Sequence, residues 1–428
     1  MIGVGFHFFV AWFAIFPLQR TRREPVAWHT RCDDKSLCFT ESFSSKGFRF
    51  ERPMAAPTRE LKAWLEEWPA VRELVDELVL SLKRRQLNGS YETARMTTRV
   101  LCKVLETAKW TTAGEILEKI HQLGHMLTKA NAHELVIGNV VRRVLYIIRE
   151  EHSNALKLSL ANAADDSAVA PPVAAPSSSH SNNSSRSLGT ILTPGTDTDL
   201  SIPIADLKMS VMEGIAELVD EIDSLHVNIA DQAMEYIHTD EVILTFGRSL
   251  SVEAFLKMAA KKRSFKVIVV ESAPSLNGQR TAHALAESGI HVTIIPDSAV
   301  FALMARVNKV VVPAAAVVAN GGLIAQSGLQ NIALAAKKCS VPVVCVAGLI
   351  KLSPLYAHDL DVLSELLAPS SIYNYEDTVD NLEVLNPAYD YVPPECVRIF
   401  ITNTGAHQPS YIYRLLAEYY SPQDYQLS

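Results

Sequence analysis

The chain has 428 residues, of which 48% are hydrophobic and 20% charged, and its formal net charge is −7. This length suffices for two or three domains with buried cores. The negative balance argues against nucleic-acid binding through a basic surface, but it leaves a protein partner open.

The six cysteines form no C-x-x-C pair and lack the spacing of metal ligands. This pattern favours reduced thiols in a cytosolic protein. Four histidines are equally scattered: His283, His291, His358 and His407. We therefore expect no metal site, no cofactor and a cytosolic location.

The first residues differ from the rest of the chain. Residues 2–16 form an apolar run that is short for a membrane span, and no basic region precedes it as in a secretory signal. Residues 20–53 show neither helical nor strand periodicity. We expect residues 1–53 to be a non-native extension or disordered, with Met54 as the natural start. A targeting segment or anchor is the alternative.

Residues 54–154 are predicted to form an all-helical domain, because apolar side chains recur at helical spacing from 71 to 82 and from 136 to 148. Thr112 and Glu115 fit a capping box. Three arginines of the last helix fit either a charged interface or a solvated helix face: Arg142, Arg143 and Arg149.

Residues 155–203 are predicted to be a disordered linker. They are rich in Ala, Ser, Pro, Asn and Asp, so they bury too little apolar surface to offset the entropy of ordering. A helix from Ile204 to Asp223 follows. Its predicted buried face comprises Met209, Met212, Ile215, Ala216 and Val219.

From residue 204 to 428, short apolar runs rich in Val or Ile alternate with helical patterns. The runs are 242–246, 266–270, 291–295, 309–312 and 341–346. This alternation predicts a parallel sheet with helices on both faces. The fold class is therefore α/β, with an N-terminal all-α helical domain followed by a C-terminal Rossmann-like parallel α/β domain.

Ligands of such sheets bind beyond the carboxyl ends of the strands. Arg248 and Ser249 follow the first strand and fit either an anion site at a helix N-terminus or a capped helix with an exposed Arg. Further candidates at strand ends are Thr245, Glu271, Ser272, Asp297, Asn320, Gly321 and Lys351. Glu271 fits a buried base or a helix cap, Asp297 an N-cap, and Asn320-Gly321 a turn. No G-x-G-x-x-G or Walker fingerprint supports a nucleotide site.

Several long motifs follow one another along the chain: GNVVRRVLYIIREE (138–151), RSLSVEAFLKMAAKKRSFKVIVVESAP (248–274), MARVNKVVVPAAAVVANGGLIAQSG (304–328), KLSP (351–354), YDYVPPE (389–395) and PSYIYRL (409–415). In sequence and order these motifs resemble the alpha/beta/delta regulatory subunits of eukaryotic translation initiation factor 2B, the beta type most closely. The resemblance covers roughly residues 58–152 and 204–428.

The resemblance extends to sugar-phosphate isomerases that act on methylthioribose 1-phosphate or ribose bisphosphate. Those enzymes carry a Cys in the turn after the first strand and an Asp in a G-A-D-R-I-A-A-N-G motif. The corresponding positions here hold Gly247 and Ala315, which can neither move a proton nor form a covalent adduct. The resemblance therefore implies a non-catalytic subunit. The alternatives are a sugar-phosphate isomerase, or a metabolite-sensing remnant that binds through Arg248, Ser249 and the 320–322 turn.

The resemblance also implies partners. They are the alpha, gamma, delta and epsilon subunits of factor 2B, delta most directly, and translation initiation factor 2, whose guanine nucleotide the complex exchanges. The helical domain would help to grip the alpha subunit of factor 2 and to sense its phosphorylation. No membrane contact is expected. We expect subunit contacts at residues of types favoured in interfaces, with core packing as the alternative for the tyrosines: Arg306, Lys309, Tyr411, Tyr413 and Arg414.

Overall fold

The computed structural model describes residues 57–87, 89–165, 200, 202–204, 206–356, 365–377, 379 and 381–427. These residues lie in one compact unit, Met54–Ser428. The predicted extension, residues 1–53, and most of the predicted linker lie outside the described residues. No helix within the described ranges is long and apolar enough to cross a bilayer.

The first helices of the described part of the chain are α1 (Pro57–Glu66), α2 (Pro69–Lys83), α3 (Ser90–Thr107), α4 (Ala113–Ala130) and α5 (Leu135–Asp165). Their apolar stripes meet in one core, which includes Leu78, Val104 and Leu123. The predicted capping box holds the start of α4. The Thr112 hydroxyl accepts a hydrogen bond from the backbone N–H of Glu115 at 3.4 Å. The Glu115 carboxylate accepts one from the backbone N–H of Thr111 at 3.3 Å, one residue earlier than in the usual box.

Two helices differ from the sequence prediction. Helix α5 continues to Asp165, so residues 155–165 of the predicted linker are helical. The next helix, α6, covers Leu207–Asp231. Its predicted buried face is only partly right: Ile215 is buried, but Met209 is 70% exposed and Ala216 is exposed as well. The side chains that pack inward recur at alternating spacings of four and three residues, which keeps them on one side of the helix: Val211, Ile215, Leu218, Ile222 and Leu225.

The strands that follow within the described residues are β1 (Val242–Phe246), β2 (Lys266–Val270), β3 (His291–Ile295), β4 (Lys309–Pro313), β5 (Ala316–Val317), β6 (Leu323–Gln326), β7 (Val343–Val346), β8 (Tyr389–Val392), β9 (Ile399–Thr402) and β10 (Gly405–His407). The main sheet has the order β10-β9-β7-β4-β1-β2-β3, and β5-β6-β8 form a small antiparallel sheet. In the main sheet β10 runs antiparallel to β9, and the other described neighbours pair in parallel. The chain reverses its direction of winding between β1 and β4, which is where ligands of open α/β sheets bind.

Helices cover both faces of the main sheet, as the sequence predicts. They are α7 (Ala233–Tyr236), α8 (Leu250–Ala260), α9 (Asn277–Ala286), α10 (Val300–Met304), α11 (Leu329–Lys338) and α12 (Ile412–Tyr419). One core joins Val144 of α5 to Phe255 of α8 and Val267 of β2. The second joins Val312 of β4 to Ile332 of α11 and Leu416 of α12. The helical region therefore shares its core with one face of the sheet.

The last described residues, 419–427, form a C-terminal segment that lies against α5. The three arginines that fit a charged interface or a solvated face bind this segment instead, because the chain returns to α5 after the last strand. Arg142 donates to the carbonyl of Tyr425 at 3.1 Å, Arg143 to the carbonyl of Tyr419 at 3.3 Å, and Arg149 to the carboxylate of Asp424 at 2.8 Å and 3.0 Å.

Candidate functional site

The candidate site lies at the carboxyl ends of β1, β2 and β4, and Gly247 is the first residue beyond β1. Gly247 has a φ of +70°, a conformation that suits glycine and strains other residues. Its N–H donates to the hydroxyl of Ser272 at 3.0 Å, and its carbonyl accepts from the hydroxyl of Thr281 at 2.8 Å. Both hydroxyls are buried and fix the turn between β1 and α8.

The space in front of Gly247 is occupied by Gln326. A Cβ added at residue 247 would lie 2.8 Å from the side-chain oxygen of Gln326. The Gln326 amide is held by a 2.8 Å hydrogen bond to the hydroxyl of Ser275. Ala315 precedes β5, and its backbone N–H donates to the carbonyl of Ile324 at 2.8 Å. Neither Gly247 nor Ala315 brings a side-chain donor, acceptor or nucleophile to the strand ends.

Gly247→Cys is expected to destabilise the chain by about 2 kcal/mol, because the left-handed backbone costs a residue with a Cβ about 1–2 kcal/mol and Gln326 must also move. Gly289→Cys is a matched control, since Gly289 has a φ of +81° with nothing within 4 Å of an added Cβ. Urea denaturation should show a larger cost at 247 than at 289, and Gln326→Ala should remove the difference. Equal losses of stability at the two glycines would contradict the conclusion that Gln326 fills the space in front of Gly247.

Arg248 and Ser249 begin α8 without forming an organised anion site. Arg248 points its guanidinium towards Glu253, at 3.8 Å, while its own side chain is 48% exposed. In the described structure Ser249 makes no side-chain hydrogen bond to the helix end. Burial raises the pKa of the Glu253 carboxyl, and Lys257 and Arg248 oppose that effect. The arrangement is closer to a helix start with a solvent-facing Arg than to a built phosphate site.

Glu271 and Asp297 lie just after β2 and β3, which are neighbours in the sheet. The Asp297 carboxylate accepts a hydrogen bond from the backbone N–H of Ala273 at 2.7 Å. It thus holds the turn after β2, whereas its side chain does not cap its own short helix, which begins at Asp297 itself. The backbone N–H of Glu271 donates to the carbonyl of Ile295 at 3.0 Å. Both residues therefore shape the rim of the site.

Asn320 and Gly321 form a turn, as their sequence indicates. The Asn320 side chain accepts from the N–H of Gly322 at 2.9 Å and donates to the hydroxyl of Tyr391 at 2.7 Å. Gly321 has a φ of +80°, and an added Cβ would lie 2.7 Å from the carbonyl oxygen of Pro409. The turn therefore contacts β8 through Tyr391 and packs closely against Pro409 in the C-terminal part of the chain.

Lys351 is buried, and its ammonium donates to the carbonyl of Ala314 at 2.7 Å. Burial lowers the pKa of Lys351, while Cys345 and Glu134 act in the opposite direction. Burial also raises the pKa of the Cys345 thiol to about 12, which keeps it protonated and poorly nucleophilic. Thr245 is also buried, and its hydroxyl finds no hydrogen-bond partner among the described residues.

The lowered pKa of Lys351 predicts how stability changes with pH. The unfolded chain keeps this proton up to about pH 10.4, whereas the folded chain releases it at lower pH. The free energy of unfolding should therefore rise with pH between the lowered folded pKa and about 10.4. Lys351→Met should remove this rise.

Urea midpoints measured across this alkaline window check the prediction of a pH-dependent contribution from Lys351. The raised pKa of Cys345 has the opposite effect, because it lowers the free energy of unfolding as the pH rises above the ordinary pKa of a thiol. Cys345 is present in both proteins, so the effect of Lys351 is taken from the difference between wild type and variant. Parallel pH profiles of the two proteins would contradict the prediction.

Three of the predicted interface residues are exposed: Arg306, Tyr413 and Arg414. Lys309 is engaged within the chain, where its ammonium lies 3.3 Å from the carboxylate of Glu241. Tyr411 is half-buried and stacks on His407 with 5.3 Å between ring centroids.

Sequence reasoning finds Ser272 as a candidate at a strand end but misses Gln326 and Thr281, which complete the surroundings of Gly247. Their partners are distant in the sequence, so no local spacing could have identified them. Among the described residues no group of three or more His, Cys, Asp or Glu side chains could hold a metal ion.

A scan against family models matches residues 86–409 to the Initiation factor 2 subunit family. The chain is 43% identical over 370 residues to translation initiation factor eIF2B subunit beta of Dictyostelium discoideum, covering 82% of this chain and 95% of that protein. It is 32% identical over 222 residues to ribose 1,5-bisphosphate isomerase of Archaeoglobus fulgidus, covering 50% of this chain and 69% of that enzyme.

Among solved structures, the chain resembles a chain of the tetrameric eIF2B-beta2-delta2 complex from C. thermophilum. The TM-score is 0.61 and the sequence identity 27%, and the match covers 86% of this chain and all (100%) of the other. The match in sequence and the match in structure thus point to the same group of proteins.

Proposed function

Because the chain belongs to the Initiation factor 2 subunit family, we propose that it is a non-catalytic, beta-type regulatory subunit of the guanine-nucleotide exchange complex for translation initiation factor 2. The observation that carries this proposal is the 43% identity to an eIF2B beta subunit over 95% of that protein's length. Ribose 1,5-bisphosphate isomerases are also among the proteins similar to this chain, so the residues at the site must decide between the two functions.

The residues around Gly247 favour the non-catalytic function. Gly247 supplies no thiol, Ala315 supplies no carboxylate, and the Gln326 side chain fills the space in front of Gly247. The Cys345 thiol, whose pKa burial raises to about 12, is a poor substitute nucleophile. Without reactive groups, the protein acts by binding: its contacts with factor 2 favour one conformation of that factor over another.

The proposed partners are the alpha, gamma, delta and epsilon subunits of factor 2B and factor 2 itself, in the cytosol, with delta as the most direct contact. The beta2-delta2 composition of the similar tetramer supports the contact with delta. Such contacts are open to the exposed side chains Arg306, Tyr413 and Arg414. Lys309 pairs with Glu241 and Tyr411 stacks on His407, so we expect these two to act through their packing within the chain and not through direct contact with a partner.

Co-expression with a delta-type subunit tests the proposal. We expect the two chains to elute together in a complex larger than either alone. A Tyr413→Ala/Arg414→Ala variant should elute with less of the partner while keeping its melting temperature. A chain that elutes alone, or that converts ribose 1,5-bisphosphate or methylthioribose 1-phosphate in isolation, would overturn the proposal.

A metabolite-sensing remnant is the second candidate. The buried hydroxyl of Thr245 at the end of β1 favours it, because it has no hydrogen-bond partner in the part of the chain that the structure describes. A phosphorylated sugar that used this hydroxyl would stabilise the folded chain and raise its melting temperature. Thr245→Val should then remove the shift. Sugar phosphates that leave the melting temperature of the wild-type chain unchanged would eliminate this candidate.

A further inference from the structure

A closed loop leaves the fold between β7 and β8. We call it the apolar loop, and its described residues are 368–377, 379 and 381–386. Its two ends are joined by an antiparallel bridge between Leu366 and Pro387. The backbone N–H of Leu367 also donates to the carbonyl of Asn386 at 2.7 Å. The loop therefore has a fixed base.

Asn386 reinforces this base from inside. It is only 3% exposed, and its amide nitrogen donates to the carbonyl of Ala368 at 3.0 Å and to the hydroxyl of Ser371 at 2.7 Å. Next to the base, Glu365 forms an ion pair with Arg85 at the end of α2. A buried amide that bridges the two ends of a loop holds them in one arrangement.

The described residues of this loop present aliphatic side chains to solvent. Soluble proteins rarely expose several large apolar side chains together unless the surface binds something. In the loop and at its base, six such side chains are between 41% and 60% exposed: Leu366, Leu367, Ile372, Val379, Leu382 and Leu385.

The stretch of sequence that contains the loop carries charge of one sign, and Arg85, which pairs with Glu365 at the base, comes from another part of the chain. Between Lys351 and Arg398 the sequence contains nine acidic residues and no lysine or arginine. Within the loop, Glu376 and Glu383 are exposed. A symmetric contact with a second copy would bring two acidic loops together, and like charges across an interface are unfavourable. Charge complementarity therefore favours a different chain whose contacting face is apolar and basic.

We propose that the apolar loop docks on the delta-type subunit, in an apolar groove bordered by Lys or Arg side chains. This inference rests on the proposed function, because it takes the delta-type subunit as a direct partner. The aliphatic side chains supply the buried area, and Glu376 and Glu383 supply charge complementarity, which mainly sets the association rate and the specificity.

The test compares purified full-length chains in a titration with the purified delta-type subunit of the same organism. Leu382→Ala/Leu385→Ala should raise the Kd about tenfold, as truncation of central interface residues does. Leu80→Ala/Val227→Ala is the matched control, because those side chains are 50% and 58% exposed but lie on helices outside the loop. Glu376→Gln/Glu383→Gln should slow association and weaken its dependence on salt.

The outcomes separate this inference from the proposed function. A wild-type chain that does not bind the delta-type subunit overturns the proposed function and the inference with it. Wild-type binding that the loop variant keeps, or that the control variant loses equally, overturns the inference alone. The inference alone is also overturned if the loop variant loses self-association of this chain but binds the delta-type subunit with wild-type affinity, because the loop would then contact a second copy.

Discussion

Replacing Gly278 with alanine is expected to destabilise the chain by about 3 kcal/mol, the upper range for overpacking a close contact. A Cβ at this position would lie 1.9 Å from the carbonyl oxygen of Val270 and 2.9 Å from the Cα of Glu271. Both atoms belong to the backbone at the end of β2, so no side-chain rotation can relieve the contact. Helix α9 would have to move away from the strand.

Gly289→Ala is the control for Gly278→Ala. Gly289 has a φ of +81° and open space around an added Cβ, so alanine there should cost only the backbone strain, about 1–2 kcal/mol. Urea denaturation of the two variants measures the difference. Equal losses would show that α9 does not depend on the close approach of Gly278 to β2.

Arg149→Ala is expected to destabilise the chain by about 3 kcal/mol, because it leaves the carboxylate of Asp424 buried without its partner. The Asp424 side chain is 2% exposed and that of Arg149 is 24% exposed. Removing one member of a buried pair costs about 3–5 kcal/mol, and the partial exposure of Arg149 places this pair at the lower end. Thermal or urea unfolding measures the loss.

Two further variants show whether the loss at Arg149 comes from the stranded charge. Arg149→Ala/Asp424→Asn should recover part of the stability, because no buried charge remains. Arg72→Ala removes the ion pairs of Arg72, which is 52% exposed, with Glu66 and Asp76, which are both 62% exposed. It should change stability by less than about 1 kcal/mol, because exposed pairs contribute little. The prediction fails if Arg149→Ala costs no more than Arg72→Ala.

The strands β1, β2, β3, β4 and β7 could be predicted from the sequence because each is a short run rich in Val or Ile. The short strands β5, β6, β8 and β10 lack such a run and were not predicted. The run 242–246 has the same bounds as β1. The buried face of α6 was harder to predict, since Met209 and Met212 are apolar and also recur at helical spacing. The stripe from Val211 to Leu225 prevails because it faces the other helices and the sheet.

The surroundings of the candidate site could not be predicted, because they depend on contacts between residues far apart in the chain. Nothing near Gly247 in the sequence indicates that Gln326 fills the space in front of it. In the same way, Arg149 gives no local sign that Asp424 is its partner. Asp297 follows a strand as an N-cap would, yet its carboxylate binds the turn after a neighbouring strand.

The rate of GDP release from initiation factor 2 tests the central claim most directly, when the complex of all its subunits is compared with one that lacks this chain. We predict that phosphorylation of the alpha subunit of factor 2 strongly slows release by the full complex, and that this response is lost without the chain. An identical response with and without the chain would contradict the account.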